Sequence, residues 1–515
     1  MKCKRVAVIG AGFGGLAAAT LLADAGHEVR VFEAADSVGG KAGTATVDGV
    51  TFDTGPSLLT LPDVPRAIFE AVGADFDATV SLRRLTPAFR HVFHDGVHLD
   101  LHDTPEASRA AVDATLGADA GGEWAAFLAY ASRIWQASAD AFVYGDAPEL
   151  RALMGLDLGT IAGLRHIDAL RTMRDAIDQR VRSPHLRRLL WRFATYNGSD
   201  VRAAPATLNC IAAVELVLGG HGVQGGIGAL AAALADLGRQ RGATIDLGAA
   251  VARIEHSGGA VRGVALASGA SWSCDLVVCN GDASVIPHLL GRAQPQAAPA
   301  RSMSAWNAVL RVRRDGRAWP AHQAVYADDY LDEFAAIFDR GEVPARPTVY
   351  FCHQGVTHGR GGWADADAVF AMVNAPSLAG ATQDLAPEAL EAPMRRHVDA
   401  ALAVLGVDPA DAPTVWRRSP VELAGRFPGS DGALYGAASN SMWSAFRRPT
   451  NRVRDVRGLY LASGTAHPGG GVPLALLSGV AAARAIAHDT GVAIGAGARR
   501  GGATRAVRVA AAVLS

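Results

Sequence analysis

The chain has 515 residues, half of them apolar, with a formal net charge of −1. That length exceeds one ordinary core and predicts two or three domains. The lack of a basic excess argues against nucleic-acid binding. Only three lysines, Lys2, Lys4 and Lys41, stand against 46 arginines, a skew that GC-rich codon usage explains. The five cysteines, at 3, 210, 274, 279 and 352, form no CxxC pair. Neither a disulfide framework nor a zinc site is indicated, and reduced thiols in a cytoplasmic compartment fit best.

In chain order, Lys4–Ile9 reads as a buried strand that runs into a glycine-rich turn, Gly10–Ala11–Gly12–Phe13–Gly14–Gly15. Gly10 permits the tight turn, Gly12 lets the backbone approach a pyrophosphate, and Gly15 lets the helix Leu16–Ala25 pack on the strand. The helix N-terminus then faces the phosphates with free N–H groups and a positive dipole. A second strand, Val29–Phe32, ends at Glu33, whose carboxylate suits a ribose diol. Glycines, helix, strand and acid in this order predict a dinucleotide site rather than a ligand-free strand–turn–helix. Lys2, Lys4 and Arg5 before an apolar run could pass for a secretory signal, but the glycine fingerprint accounts for the same residues. Gly39–Gly40–Lys41 follows the second strand and adds a close backbone passage and a cation; the bland alternative is a turn. Asp53–Thr54–Gly55–Pro56–Ser57 follows the strand Val50–Phe52 and could bring backbone amides to a flavin ring, although alone it reads as a loop.

His91, His94, His98 and His102 have spacings that suit one helical face. Asp95–Gly96 is a hairpin signal, however, and Val97, Leu99 and Leu101 alternate with His98, Asp100 and His102, so a half-buried strand is expected rather than a metal site. Leu170, Met173, Ile177 and Val181 predict an amphipathic helix that Pro184 ends or kinks. Arg165, Arg171, Arg174, Arg180, Arg182, Arg187, Arg188 and Arg192 crowd this region. They read as a solvated face or as a surface that docks on anionic lipid headgroups. The segment 222–290 holds Gly225–Gly226, a helix Ala229–Arg241, strands Ala250–Ile254, Val261–Leu266 and Leu276–Cys279, and the polar turn Asn280–Gly281–Asp282. Leu459–Gly464 reads as a strand that enters a glycine turn, and Val472–Ala487 as a helix. The apolar run from Val472 is broken by Arg484, and no stretch reaches a membrane-spanning length.

These pieces predict an α/β fold: a Rossmann-type dinucleotide-binding domain assembled from the discontinuous segments 1–80, 222–290 and 450–490. An α+β substrate domain would take 81–221 and 291–449, with a tail at 491–515 that is poorly ordered or ends in a short helix. The substrate is expected between the two domains. No GxSxG elbow and no Cys/His pair points to hydrolytic chemistry.

Several segments together resemble the bacterial-type phytoene desaturase family, FAD-dependent carotenoid desaturases and their relatives. They are the opening fingerprint, Asp53–Leu59, Ala194–Asp200, Ala204–Thr207, Arg426–Gly429, Gly432–Gly436 and Gly458–Pro473. The resemblance spans about residues 5–490 and is most specific in the last segment. It implies noncovalent FAD, with Gly10, Gly12, Gly14 and Gly15 at the pyrophosphate and Glu33 at the adenosine ribose. Gly40 and Lys41 would flank the phosphates and Val251 would meet the adenine. Gly464 and Thr465, with Val472 and Pro473, would close over the ribityl chain and flavin, and Gly55, Pro56, Ser57 and Asp282 are further cofactor-binding candidates. Many relatives carry an aromatic–Pro pair where this chain has Gly222–Val223–Gln224, which puts substrate contacts there in doubt.

The expected activity is desaturation of a long apolar polyene, with a hydride passing to flavin N5 and the protein supplying a dry, orienting tunnel. His467 is the one candidate for a polar role near the flavin; the alternative is that it structures its loop. A carotenoid or isoprenoid substrate, a quinone or oxygen as electron acceptor, and attachment to the inner face of the cell membrane complete the expectation. Competing readings are a late 3,4-desaturase of a hydroxylated or methoxylated carotenoid, a ketolase or terminal-methyl oxidase, a retinol-saturase-like relative, and a non-catalytic isoprenoid escort protein.

Overall fold

The computed structural model describes residues 3–147, 167–293, 300–441 and 448–495. Arg165 and the tail from 496 onward lie outside the described residues. Five parallel strands form one sheet: β1 (Arg5–Ile9), β2 (Glu28–Phe32), β3 (Thr244–Asp246), β4 (Leu276–Cys279) and β5 (Leu459–Leu461), in the order β3-β2-β1-β4-β5. The central strand is apolar without alternation, and Val6, Ala7 and Val8 are fully buried. This is the signature of a parallel strand covered on both faces. On one face lie three helices, α1 (Phe13–Asp24), α2 (Ile227–Gln240) and α3 (Val472–Thr490). Helix α1 is buried from Phe13 to Ala23, as its all-round apolar surface requires. The other face is covered by a three-stranded ribbon of Val251–Ser257, Ala260–Leu266 and Ser271–Ser273, with Phe32 and Trp272 edge to face at 5.8 Å.

A second, seven-stranded sheet runs Thr414–Arg418, Ser304–Arg313, Ala366–Ala375, Val349–His353, His322–Val325, Phe89–Val92 and His98–Leu101. All its pairs are antiparallel except that of His322–Val325 with Phe89–Val92. Successive strand residues point to opposite faces, and that rule sorts this sheet cleanly. Trp306, Ala308, Leu310, Val349, Phe351, Val369, Ala371 and Val373 pack under the helix Pro387–Val404. Their neighbours Asn307, Tyr350, Phe370, Met372 and Asn374 face the interior of the molecule and line its large cavity.

Residues 89–101 form a hairpin with Val92 opposite His98. Leu99 and Leu101 are buried while His98 is exposed, and the four histidines share no face. His91 instead accepts or donates through Nδ1 at the Tyr326 hydroxyl, 3.0 Å away.

The expected long helix through 170–181 is two short ones, Met173–Asp178 and Pro184–Trp191. Met173, Ile177 and Val181 are buried, but Leu170 is 85% exposed. The reason is local. Thr172 caps the first helix by accepting from the Asp175 N–H, so Leu170 falls outside it. Pro184 starts the second helix behind the Ser183 cap, the position where a missing N–H costs nothing.

The arginines of this stretch do not share a free face. Arg171 pairs with Asp168, Arg174 with Asp178 and Arg182 with Glu123. Arg187 and Arg188 donate to main-chain carbonyls, Arg180 stacks on Tyr130, and Arg192 turns inward.

Candidate functional site

A single cavity of about 1040 Å³ runs from the glycine turn after β1 to the inward face of the seven-stranded sheet. This is at the top of the range for small-ligand sites, about 300–1000 Å³. Its lining falls into two chemically different halves.

The first half surrounds the carboxyl ends of β1, β2, β4 and β5. Gly10, Gly12, Gly14, Glu33, Gly40, Lys41, Gly55, Pro56, Ser57, Val251, Asp282, Gly464, Thr465, His467, Val472 and Pro473 all border the cavity. Gly15 does not. A β-carbon there would sit 2.2 Å from the Gly10 carbonyl oxygen, so Gly15 serves the packing of α1 on the turn rather than a ligand. Gly10 itself has φ +94°, a conformation an L side chain rarely adopts. The Glu33 carboxylate accepts from the Ala11 N–H at 2.6 Å and the Ala35 N–H at 2.9 Å. Two backbone amides thus fix its orientation and leave lone pairs free for a diol.

Lys41 borders the cavity with its ammonium held by main-chain acceptors. Its ammonium donates to the carbonyls of Ala433 (3.1 Å) and Leu434 (2.6 Å) and lies 5.7 Å from the Phe427 ring. It therefore holds the 433–434 segment against the cavity. Burial lowers it to about 8, with Asp282 pulling upward and Arg301 downward. Burial also lowers Arg448, whose guanidinium donates to the Gly464 carbonyl at 3.2 Å. This is a second cation on the same wall, and no local pattern around it marked it out.

Asp282 Oδ1 accepts from the Ser284 N–H (3.0 Å) and hydroxyl (2.7 Å), with Arg301 at 3.5 Å, while Oδ2 is buried without a partner. An orphaned carboxylate oxygen on a cavity wall is a vacant acceptor for a ligand hydroxyl. Thr465 accepts from the Ala283 N–H at 2.8 Å, which ties the strand-end turns of β4 and β5 together.

The His467 ring is engaged: Nε2 meets the Gly145 carbonyl at 3.0 Å, and burial lowers the imidazole below its usual range. The main chain of His467 is likewise held, by Pro449 O and by the Asn451 amide. These contacts favour loop-structuring over chemistry. Gln224, in the segment that departs from the family pattern, bonds Arg83 and Gly359 and is not on the cavity wall.

The second half is aromatic and polar. Ser57 Oγ lies 2.7 Å from the Tyr350 hydroxyl, which lies 2.7 Å from His322 Nδ1. Burial, then His358 and Arg192, hold His322 down to about 3, so its ring is neutral. Arg192 sits over Phe89 at 4.2 Å, Tyr196 at 5.1 Å and Tyr350 at 5.7 Å, and donates to the Tyr196 hydroxyl at 3.1 Å. Burial works against its charge, yet Tyr196, Tyr326 and Glu215 together keep the guanidinium charged. Local sequence suggested a solvated arginine here. The available signal was its position just before the Ala194–Asp200 segment.

The profile of the flavin containing amine oxidoreductases matches residues 13–487. The hydroxyneurosporene desaturase of Rhodobacter capsulatus is 35% identical over 94% of this chain and 98% of its own length. The 4,4'-diapolycopene oxygenase of a Methylomonas species is 29% identical over 92% of this chain and 96% of its own. Among solved structures, an oxidoreductase from Methanosarcina mazei superposes with a TM-score of 0.59 at 16% identity, covering 92% of this chain and 99% of that one. A glycine turn without room for side chains, a pinned acidic residue and an orphaned carboxylate oxygen fit a dinucleotide cofactor. The chain belongs to the flavin-containing amine oxidoreductase family and is an FAD-dependent oxidoreductase with an α/β fold.

Proposed function

We propose that the protein desaturates a carotenoid at a CH–CH bond. The observation that carries this is one continuous cavity: its glycine-lined half suits a dinucleotide, and its aromatic half extends along a sheet face that can hold a flat polyene. The full-length relationship to a hydroxyneurosporene desaturase supports the substrate class. When bound, FAD supplies the two-electron oxidant that takes a hydride from carbon. Gly10, Gly12 and Gly14 would pass the pyrophosphate, Glu33 would hold the adenosine ribose and Val251 would border the adenine. Asp282 Oδ2 and Thr465 would receive the ribityl chain. Gly55, Pro56 and Ser57, with Gly464, Val472 and Pro473, would enclose the ring. Phe89, Tyr350, Phe370 and Met372 would orient the polyene and exclude water. On this reading the segments 1–80, 222–290 and 450–490 form a Rossmann-type FAD-binding unit, and 81–221 with 291–449 form the substrate unit.

The substrate partitions into lipid, so we place the enzyme at the inner face of the cell membrane, with quinone or oxygen as electron acceptor. No helix of the described residues is long and apolar enough to cross a membrane. The test is anaerobic mixing of purified FAD-loaded protein with carotenoids in detergent micelles. Flavin bleaching coupled to a product two hydrogens lighter is the expected result. A product that gains oxygen when the same mixture is run in air would favour the second reading, which the diapolycopene oxygenase relative suggests.

A further inference from the structure

Each double bond that a desaturase introduces takes a hydride from one carbon and a proton from its neighbour. The hydride has its acceptor in FAD. The proton is released between aromatic walls, where an unpaired charge is costly. Three side chains that border this cavity stand in hydrogen-bonded sequence. Ser57 Oγ lies 2.7 Å from the Tyr350 hydroxyl, which lies 2.7 Å from His322 Nδ1. The strand register accounts for the second contact. His322 pairs with Cys352, and Tyr350, two residues along that strand, points to the same face. The two rings stack at 5.9 Å, and Phe89 lies 5.8 Å from His322 and 6.0 Å from Tyr350. Among the described residues on the sheet-side wall, Arg192 and Arg418 offer no lone pair, and Asn307 and Asn374 offer only amide oxygens. The imidazole of His322 is therefore the strongest base there. Burial keeps that ring neutral and the Tyr350 phenol protonated. A phenolic oxygen has two lone pairs. With Ser57 donating to one and the phenolic proton directed at His322 Nδ1, the other is left for a proton from carbon.

We infer that the Tyr350 hydroxyl is the catalytic base that removes this proton, and that His322 is a positioning residue that receives the phenolic proton through Nδ1. The inference rests on the reading of the reaction as desaturation. One C–H bond breaks as hydrogen leaves with its electron pair to FAD, which is reduced. The adjacent C–H bond breaks, its electron pair becomes the new π bond, and its proton bonds to the Tyr350 oxygen while the phenolic O–H bond breaks toward His322. The carbon chain is oxidised by two electrons and loses two hydrogens. A carbon next to one that has lost hydride is a far stronger acid than an imidazolium ion, so a neutral imidazole suffices as the final acceptor.

The experiment compares FAD-loaded wild type, Tyr350→Phe and His322→Gln in micelles. The substrate is a carotenoid that wild type desaturates, unlabelled and deuterated at the carbon that loses the proton. Polyene binding to the flavin-free proteins, read from its absorption shift, is expected to match wild type. Product formation is expected to fall about 100-fold in Tyr350→Phe and at least about tenfold in His322→Gln, as removal of a positioned proton acceptor should do. The deuterium effect is expected to be larger in both variants than in wild type, which a merely structural role would not produce. His322→Gln carries the test if Tyr350→Phe fails to load flavin. A near-wild-type rate in a flavin-loaded variant, an unchanged deuterium effect, or a loss that lies in polyene binding overturns the assignment. Failure of flavin-loaded wild type to desaturate any carotenoid overturns the desaturase reading itself and this assignment with it.

Discussion

A β-carbon placed on Gly14 would lie 2.1 Å from the carbonyl oxygen of Ala462. This contact joins the first helix to the turn after the last strand, across nearly the whole length of the chain. Gly479 reinforces it from α3, because a β-carbon there would meet the Gly14 carbonyl oxygen at 2.2 Å. The two ends of the sequence close the cofactor half of the cavity through backbone that has no room for a side chain.

Gly14→Ala is therefore expected to lower stability by about 3 kcal/mol, the upper end for overpacking against a backbone that cannot yield, and to reduce bound flavin. Gly122 is the control. It lies exposed within the helix Ala118–Ser138 with no atom within 4 Å of an added β-carbon. Gly122→Ala should raise stability by about 0.5–1 kcal/mol. Urea denaturation and flavin absorbance of the purified variants check both.

Glu33→Ala removes a carboxylate that two backbone amides hold in place. Charge-assisted bonds of this kind contribute about 1.5–3 kcal/mol each, so FAD affinity should fall at least tenfold. Titration of the apoprotein with FAD by fluorescence quenching measures it; unchanged affinity would mean that the carboxylate does not bind the cofactor.

His322 and His358 are buried neutral and held down to about 3, chiefly by burial. In the unfolded chain each titrates near 6.5. The unfolded state thus binds more protons between those values, and stability is complete above about pH 6.5 and declines as pH falls toward 3. The loss is on the order of 3 kcal/mol per histidine at pH 4. Urea midpoints from pH 8 to pH 4 should drop steeply in wild type and less steeply in His322→Gln. Parallel slopes in the two proteins would sink the explanation.

His467→Asn breaks the tie between the ring and the Gly145 carbonyl. The expected cost is about 1 kcal/mol of stability, while the rate per flavin-loaded molecule stays within a few-fold of wild type. A loss of 100-fold or more at full flavin occupancy would restore a chemical role for this imidazole. Stopped-flow reduction of the bound flavin reads that rate directly.

Features that follow from neighbours in the chain were legible early. The strand–glycine–helix opening, the acid at the end of β2, the hairpin at Asp95–Gly96 and the strand that runs into Gly464 are set by backbone freedom and side-chain alternation within about ten residues. Sequence alone therefore determined the α/β character and a dinucleotide site, and the resemblance to a known family added FAD as the expected cofactor. Tertiary structure decided what depends on partners far away along the chain. Arg192 looked like one arginine of a solvated basic helix until Phe89 and Tyr350 enclosed it. Lys41 reads as a phosphate cation from its neighbours in the chain, and only the folded structure shows its ammonium donating to the carbonyls of Ala433 and Leu434. Leu170 fits the apolar spacing yet lies outside the helix that Thr172 caps. Pattern specifies which way a side chain points on its own element. Which other element arrives opposite, and so whether a charge is solvated, paired or sealed in a cavity, is settled only when the distant segments pack.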